Sequence, residues 1–309
     1  MRWSAMLVNL ARNPAALLLI VGGLGGVNFI LGKLAADAGI SPLLWALLIS
    51  GGAAWSIAMI RPATLSPPKG RARRYVIISG LVSFALANWV VYALIPILGA
   101  GYVGLMFALS PVATLGLSII AGTGRPKRLG LSGIAIGLFG AILIVVSGGE
   151  ADLSASVPYL ALGLLIPVIL AVGNVYRTLD WPDGSAPDGL AVWSHGVACL
   201  AFLAAFAIQG SLPVSDYLAA PWLSITQVLV AGLTFPAYFQ LQKVGGPVLL
   251  SQIGYVSAAV GLAGATLVLG ERYQALTWGG AAVVAIGIAL TIADTQAKRA
   301  ETKADDCTS

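Results

Sequence analysis

Polar side chains recur at helical spacing inside stretches of this sequence that carry no charge. Three pairs lie three or four residues apart, so each pair shares one face of a helix. A polar side chain at membrane depth is costly, and it marks either a functional site or a hydrogen bond between helices. Both interpretations stay open for every pair. The pairs are Asn88 with Tyr92, Tyr238 with Gln242, and Gln252 with Tyr255.

Single amides and aromatic rings add to this set. Asn28 and Asn174 lie in corresponding helices of the two halves of the chain. An amide both donates and accepts hydrogen bonds, which suits the ammonium and carboxylate groups of a zwitterion. Rings offer stacking surfaces, although Trp and Tyr also form belts at membrane interfaces. The aromatic candidates are Trp45, Trp55, Trp89, Tyr92, Tyr102, Trp193 and Tyr255.

His195 is the single histidine, and it follows Trp193 by two residues. Histidine titrates near neutral pH, so His195 could couple transport to protons. The alternative is a neutral histidine within a helix interface. No Asp or Glu falls in the core of a predicted span, where proton-driven pumps place their carboxylates. We therefore expect gradient-driven transport without obligatory ion coupling.

An intramembrane serine protease is the enzymatic alternative. Gly130-Leu131-Ser132-Gly133 gives a G-x-S-G pattern, and His195 is a candidate base. These residues belong to separate halves of the chain, and no further polar set suggests an oxyanion hole. One histidine and two distant cysteines offer no metal ligand set, and the sequence has no Walker loop or dinucleotide fingerprint. We expect no enzymatic activity, no cofactor and no metal.

Composition identifies lipid as the solvent of most of the chain. Of 309 residues, 58% are hydrophobic and 9% are charged, whereas soluble domains carry roughly 25% charge. Uncharged runs repeatedly reach the ~20 residues that a spanning helix needs, and the run from 75 to 124 breaks near Pro96 and Gly99. The prediction is an all-α integral membrane protein with ten transmembrane helices, at approximately 14–35, 41–60, 75–96, 101–122, 128–148, 157–178, 188–208, 220–242, 245–268 and 275–294.

Basic residues predict the orientation in the membrane. With ten crossings and a cytoplasmic N-terminus, 15 of the 17 Lys and Arg residues fall on the cytoplasmic side, Arg177 among them. Lys33 and Arg272 fall outside. The positive-inside rule predicts this distribution, and both termini are then cytoplasmic. The net charge of +5 reflects this orientation, so no nucleic-acid partner is expected.

The two halves of the chain carry a repeat. Gly133 and Gly140 recur as Gly280 and Gly287 at an offset of 147 residues, on the last helix of each five-helix half. An odd number of helices makes the second half enter the membrane from the opposite side, so the halves form inverted repeats, as in many secondary transporters. The predicted units are residues 1–149 and 150–297, followed by a cytoplasmic tail at 298–309.

The end of the second half resembles a known family. Gly270-Glu271-Arg272, followed by Leu276, Gly279, Gly280 and Gly287, is similar to the ending of each half in the ten-helix branch of the drug/metabolite transporter superfamily. The first half departs from this pattern, with Gly124-Arg125-Pro126 in place of Gly-Glu-Arg. Within the superfamily, the chain is similar to bacterial aromatic amino acid exporters of the inner membrane.

This resemblance implies a secondary transporter that exports aromatic and other neutral amino acids from the cytoplasm by alternating access through a central cavity. The expected partners are that solute and the lipid bilayer. Proton-coupled efflux of drugs or quaternary amines stays open, as does a non-transport role in membrane assembly. The sequence does not set the exact cargo or the oligomeric state. The candidate solute-binding residues are Asn28, Asn88, Trp89, Tyr92, Tyr102, Asn174, Trp193, His195, Tyr238, Gln242, Gln252 and Tyr255.

Overall fold

The structure, a computed structural model, describes residues 13–122, 128–146, 157–270, 272 and 274–308. All regular secondary structure in these residues is helical, so the predicted all-α architecture is confirmed there. One 3-10 helix (Pro62–Leu65) and one π-helix (Ser79–Leu86) accompany the α-helices. The α-helices are α1 Pro14–Asp37, α2 Pro42–Ile60, α3 Gly70–Ile78, α4 Ala87–Ala108, α5 Ser110–Ile120, α6 Arg128–Val146, α7 Val157–Gly163, α8 Leu165–Leu179, α9 Pro187–Gln209, α10 Ser215–Ala219, α11 Pro221–Ser251, α12 Ile253–Val268 and α13 Ala275–Thr308.

Six helices within the described ranges are long and apolar enough to cross a membrane. The third of them joins α3, the π-helix and the first part of α4 into one span of 31 residues. Four further apolar helices are shorter, with 10 to 17 residues each. The long spans are Pro14–Asp37, Pro42–Ile60, Gly70–Ala100, Ala161–Leu179, Pro187–Gln209 and Pro221–Ser251. The shorter ones are Met106–Ile120, Arg128–Gly140, Ile253–Val268 and Ala275–Thr291.

Two long helices break at a glycine. Gly99 in α4 has φ 81° and ψ 159°, and Gly246 in α11 has φ 71° and ψ −177°. Residues with a Cβ avoid positive φ, so glycine allows the chain to change direction at these points. The break predicted near Pro96 and Gly99 is confirmed.

Glycines also allow α1 to pack closely against α12. A Cβ at Gly22 would lie 2.4 Å from Cβ of Val256, and a Cβ at Gly26 would lie 2.7 Å from Cβ of Val260. Hydrophobic burial contributes little to association between helices in lipid, so close contact through small residues takes its place. Small residues on α1 therefore hold it against α12.

Four glycines form the crossing of α6 and α13. A Cβ at Gly133 would lie 2.7 Å from the carbonyl oxygen of Gly287, and a Cβ at Gly140 would lie 2.7 Å from that of Gly280. Larger side chains at these positions would push the two helices apart. These are the glycines that recur at the offset of 147 residues.

The π-helix packs against α9. A Cβ at Gly80 would lie 2.6 Å from the Ser194 carbonyl oxygen and 2.6 Å from Cβ of Val197, so this approach requires glycine. π-helical turns are rare and occur frequently at functional sites. This one carries two buried residues, Ser83 and Phe84, into the wall of a central cavity.

Candidate functional site

A cavity of about 100 Å³ lies where α1, α2, the π-helix, α4, α8, α11 and α12 meet. Its wall combines aromatic rings with amide and hydroxyl groups, and none of the described residues lining it is charged. The rings belong to Phe29, Phe84, Tyr92, Phe107, Phe235 and Tyr238. The polar groups belong to Asn28, Ser83, Asn88, Thr234 and Ser257.

The two amides in this wall differ in their hydrogen bonding. Asn28 Nδ2 donates to the Leu24 carbonyl oxygen at 2.8 Å, and Asn28 Oδ1 accepts from Gln227 Nε2 at 2.6 Å. The orientation of Asn28 is therefore fixed. The buried Nδ2 of Asn88 has no acceptor in the described part of the chain. Asn88 can therefore donate to a solute without breaking an internal hydrogen bond.

Arg177 lies beside the cavity, in the last turn of α8, and is only 1% exposed. Its Nη2 donates to Asn174 Oδ1 at 2.8 Å and to the hydroxyl of Tyr238. Its Cζ lies 5.5 Å from the ring centroid of Phe84 and 5.2 Å from that of Tyr238, within the range of cation–π attraction. Phe84 and Tyr238 thus contact both the cavity and the guanidinium group.

Asn174 connects this arginine to further polar side chains. Its Nδ2 donates to Thr114 Oγ1 at 3.4 Å. Gln242 Nε2 donates to the Asn174 carbonyl oxygen at 3.3 Å and to Thr178 Oγ1 at 2.6 Å. The resulting network links α5, α8 and α11, and it fixes the side of α8 from which Arg177 projects.

His195 packs among aromatic rings. Its ring centroid lies 3.9 Å from that of Phe235 and 4.2 Å from that of Phe84, and the residue is fully buried. Neither ring nitrogen has a hydrogen-bond partner among the residues that the structure describes. A charged imidazole would be buried against apolar rings here, so the packing favours the neutral form.

An ion-pair cluster centred on Asp180 ties the start of α3 to the end of α8. The carboxylate of Asp180 accepts hydrogen bonds from Arg71 Nε at 3.0 Å, from Arg74 Nε at 3.1 Å and from the Tyr176 hydroxyl at 2.7 Å. The hydrogen bond from Arg74, helped by those from Tyr176 and Arg71, lowers the pKa of Asp180 to about 2 despite its burial. The carboxylate is therefore ionised at any physiological pH.

Trp193 lies at a second cavity, of about 390 Å³, between the 3-10 helix and the start of α9. Its indole Nε1 donates to the carbonyl oxygens of Thr64 and Ser66, at 3.1 Å each. The nearby ion pair of Arg61 with Asp188 also lines this cavity. Trp193 therefore holds the segment that contains Thr64 and Ser66 against α9, and it does not line the central cavity.

The structure brings seven of the predicted site residues together. Four of them line the central cavity, two belong to the network around Arg177, and one packs on the Phe84 ring. The seven are Asn28, Asn88, Tyr92, Asn174, His195, Tyr238 and Gln242.

Four predicted residues, Trp193 among them, lie elsewhere, and a fifth is not described. Trp89 is 50% exposed, because it lies about 100° around the helix from Asn88. The hydroxyl of Tyr255 donates to the Ile134 carbonyl oxygen at 3.2 Å, so this ring packs against α6. Gln252 is buried without lining the cavity. The side chain of Tyr102 lies outside the described part of the structure.

Arg177 belongs to this site although it is not among the predicted site residues. The charge distribution predicts it on the cytoplasmic side of the membrane, and the structure buries it against Phe84 and Tyr238. Its position three residues after Asn174, on the same face of a helix, was the available signal. Ser83 carries no comparable signal, because isolated serines are common in apolar helices.

Comparisons with known proteins agree with this architecture. Residues 13–146 match the model of the EamA-like transporter family. A solved structure described only as "Crystal structure of protein" is 19% identical to this chain and has a TM-score of 0.62, covering 88% of this chain and 96% of its own. That likeness shows a common fold. No curated protein matches the chain.

The family match over residues 13–146 and the six long apolar helices support a multi-pass membrane protein of the transporter type, which would contact the lipid bilayer and a small-molecule solute. The predicted resemblance to the drug/metabolite transporter superfamily is confirmed. Within residues 13–146, the chain is similar to the EamA-like transporter family of that superfamily.

Proposed function

We propose that this transporter exports amino acids, aromatic and other neutral ones, from the cytoplasm through the central cavity. The composition of the cavity wall is the observation that carries the proposal. Rings such as Phe29 and Phe235 can pack against the aromatic side chain of a solute, and each such pair contributes about 0.5–1.5 kcal/mol in addition to the burial of its surface. Amides such as Asn28 and Asn88 can form hydrogen bonds with the ammonium and carboxylate groups of an amino acid. An amino acid with an aromatic side chain therefore fits this wall better than a purely apolar solute.

Alternating access supplies the change of volume that binding requires. The cavity holds about 100 Å³, whereas ligand pockets typically reach roughly 300 Å³ or more. An amino acid therefore binds only when the surrounding helices move apart. Rocking of one repeat against the other around a fixed central site produces this movement in many secondary transporters.

Two inverted halves with ten crossings fit this mechanism. We assign residues 1–149 to the first half, 150–297 to the second and 298–309 to a tail. The helix breaks at Gly99 and Gly246 support the assignment, because they lie 147 residues apart and both have positive φ. This is the offset found for the repeated glycines of α6 and α13.

The contacts of those glycines give a second line of support. Exchanging the halves by this offset turns the contact of Gly133 with Gly287 into a contact of Gly280 with Gly140. Both contacts are present. Reciprocal contacts of this kind are expected wherever a two-fold axis relates two units.

In this proposal the protein lies in the bacterial inner membrane with both termini in the cytoplasm. Burial of Arg177 leaves 14 of the 15 basic residues on the cytoplasmic side against two outside, so the charge bias persists.

No carboxylate lines the cavity among the described residues, which favours transport without obligatory ion coupling. Ser132 Oγ donates to the Arg128 carbonyl oxygen at 2.9 Å on an exposed face, and we propose no enzymatic role.

Uptake into proteoliposomes tests this function. The full chain is reconstituted, and flux of labelled phenylalanine, tryptophan, threonine and a quaternary-amine dye is measured with and without a pH gradient. We expect saturable phenylalanine flux without the gradient. Flux of the dye alone would support drug efflux instead, and amino acid flux only with the gradient would refute uncoupled export. Absence of all flux would favour a non-transport role.

Two adjacent substitutions test the cavity as the binding site. Asn88→Leu removes an amide from the wall, whereas Trp89→Leu removes a ring that is half exposed on another side of the same helix. Loss of one hydrogen bond should raise KM for phenylalanine about 2- to 10-fold in the first variant. The second should leave KM unchanged. Equal effects in both variants would contradict binding in this cavity.

A further inference from the structure

Arg177 is a buried cation with unused hydrogen-bond donors. A guanidinium group carries five N–H donors, and Nη2 uses its two on Asn174 and Tyr238. Nε and Nη1 have no acceptor among the described residues, so three donors are unused there. The ion pairs formed in this part of the chain do not include Arg177.

Ser83 presents a second unused group at the same place. Its Oγ is buried without a partner among the residues described, and the residue lines the central cavity. Gly173 of α8 lies between the two groups. A Cβ at Gly173 would lie 2.3 Å from Ser83 Oγ and 3.1 Å from Arg177 Nη1. The hydroxyl and the guanidinium group therefore both approach Gly173, behind the part of the cavity wall that Ser83 forms.

The surroundings of Arg177 offset only part of the cost of burying its charge. The rings of Phe84 and Tyr238 provide cation–π attraction, and the C-terminus of α8 provides the negative end of a helix dipole. Neither provides an acceptor for the three N–H groups. An anionic group with more than one acceptor oxygen, such as a carboxylate, satisfies them.

We propose that Arg177, through Nε and Nη1, and Ser83, through Oγ, form a carboxylate-binding subsite that holds the transported solute. The side chain of the solute then lies against the aromatic wall of the cavity. This inference rests on the proposed function and narrows its substrate class to solutes that carry a carboxylate. Phe84 and Tyr238 contact both the cavity and the guanidinium group, so their rings control access to the subsite.

Competition by analogues tests the subsite in the unmodified protein. Phenylalanine, 3-phenylpropionate and phenethylamine compete with labelled phenylalanine for counterflow in proteoliposomes. The acid lacks the ammonium group, and the amine lacks the carboxylate. We expect the acid to compete within about tenfold of phenylalanine and the amine about 10- to 100-fold more weakly, the effect of a lost charged hydrogen bond. An amine that competes as well as phenylalanine would overturn the subsite.

Variants assign the effect to the two residues. Arg177→Gln should weaken binding of both carboxylate ligands about 10- to 100-fold and leave phenethylamine unchanged. Ser83→Ala removes a hydroxyl that has no partner among the described residues, so it tests the subsite even if the arginine variant does not fold. We expect a loss of about 3- to 10-fold for the two carboxylates only. Arg73→Gln, at an exposed arginine, is the matched control. Equal losses for all three ligands would indicate a structural role and overturn the proposal.

An inorganic anion could accept the same hydrogen bonds as the carboxylate of a solute. Thermal unfolding in detergent distinguishes binding of an inorganic anion from binding of a carboxylate solute. Stabilisation by 3-phenylpropionate that is smaller in Ser83→Ala than in the unmodified protein supports the proposal, whereas equal stabilisation by chloride or phosphate would overturn it.

Failure of the proposed function gives a different result from failure of the subsite. If phenylalanine is not transported but 3-phenylpropionate still stabilises only proteins with Arg177 and Ser83, the subsite stands and the cargo is another carboxylate. If phenylalanine is transported and both site variants behave like Arg73→Gln, export stands and the subsite is wrong.

Discussion

Replacing Asp180 with Asn tests whether the ion-pair cluster holds the start of α3 to the end of α8. Asp180 is 8% exposed and accepts hydrogen bonds from Arg71, Arg74 and Tyr176. Asparagine keeps the shape of the side chain and removes its charge. Two arginines then face a neutral amide, so we expect lower stability without a change of fold.

The magnitude follows from the pKa of Asp180. Its partners, with the hydrogen bond from Arg74 as the largest effect, lower this pKa from 3.8 to about 2. One pKa unit corresponds to about 1.4 kcal/mol, so the full shift gives roughly 2 kcal/mol. Arg71 and Arg74 are 45% and 63% exposed, and solvent screening reduces this to about 1 kcal/mol. The unfolding temperature should fall by roughly 2–5 °C.

Thermal unfolding in detergent measures this effect, with Asp183→Asn as the matched control. Asp183 is three residues further on, and its side chain is fully exposed, so its replacement should change little. The folded-state pKa of Asp180 lies below its ordinary value of 3.8, so its stabilisation is fully present above that pH. It is lost as the pH falls towards 2. The difference between the unmodified protein and Asp180→Asn should therefore shrink below about pH 4. Equal effects of the two variants, or a difference that grows with acid, would refute the reasoning.

Two further predictions concern packing and buried hydrogen bonds. Gly287→Ala places a methyl group 2.6 Å from the Gly133 carbonyl oxygen, and it should lower the free energy of unfolding by about 1–3 kcal/mol. A Cβ at Gly279, on the same helix, would have no atom within 4 Å, so Gly279→Ala should be neutral or slightly stabilising. Equal melting temperatures of the two variants would contradict close packing at Gly287. Gln227→Leu deprives Asn28 Oδ1 of its donor and should cost about 1–3 kcal/mol. Chemical unfolding of the double variant with Asn28→Leu should show a non-additive loss, and simple additivity would argue against the hydrogen bond.

Much of the fold could be predicted because lipid limits what the backbone can do. A spanning segment must satisfy its own hydrogen bonds, so long uncharged runs become helices. The break at Gly99 followed from glycine and Pro96 within one long run. The break at Gly246 lies next to the predicted boundary between the spans 220–242 and 245–268, although α11 continues beyond the break to Ser251. Gly246 precedes Pro247, which fits the first turn of a new helix, and the two segments merge without an intervening loop.

The site could be predicted only in part. Asn28, Asn88 and Tyr238 stand out because polar groups are rare in apolar runs, and all three line the cavity. Trp89 could not be separated from Asn88, since the direction of a side chain depends on how the whole helix is rotated against its neighbours. Arg177 was counted only among the basic residues of the cytoplasmic side, because the positive-inside rule considers charge and not the direction of a side chain. Its inward direction depends on tertiary contacts that no local pattern contains.

The positions of two opposite charges at the end of α8 support a role for Arg177 beyond packing. Asp180 follows Arg177 by three residues, a spacing at which opposite charges on a helix normally pair. Asp180 instead accepts from Arg71 and Arg74, while Arg177 packs against Phe84. A structural arginine would take the nearby carboxylate, because a buried pair costs less than a buried lone cation. Since Asp180 is already bound to other residues, Asp180→Asn should lower stability without changing the preference for carboxylate solutes, and analogue competition in that variant measures this directly. A changed preference would mean that Asp180 neutralises Arg177 and that the subsite does not bind a solute.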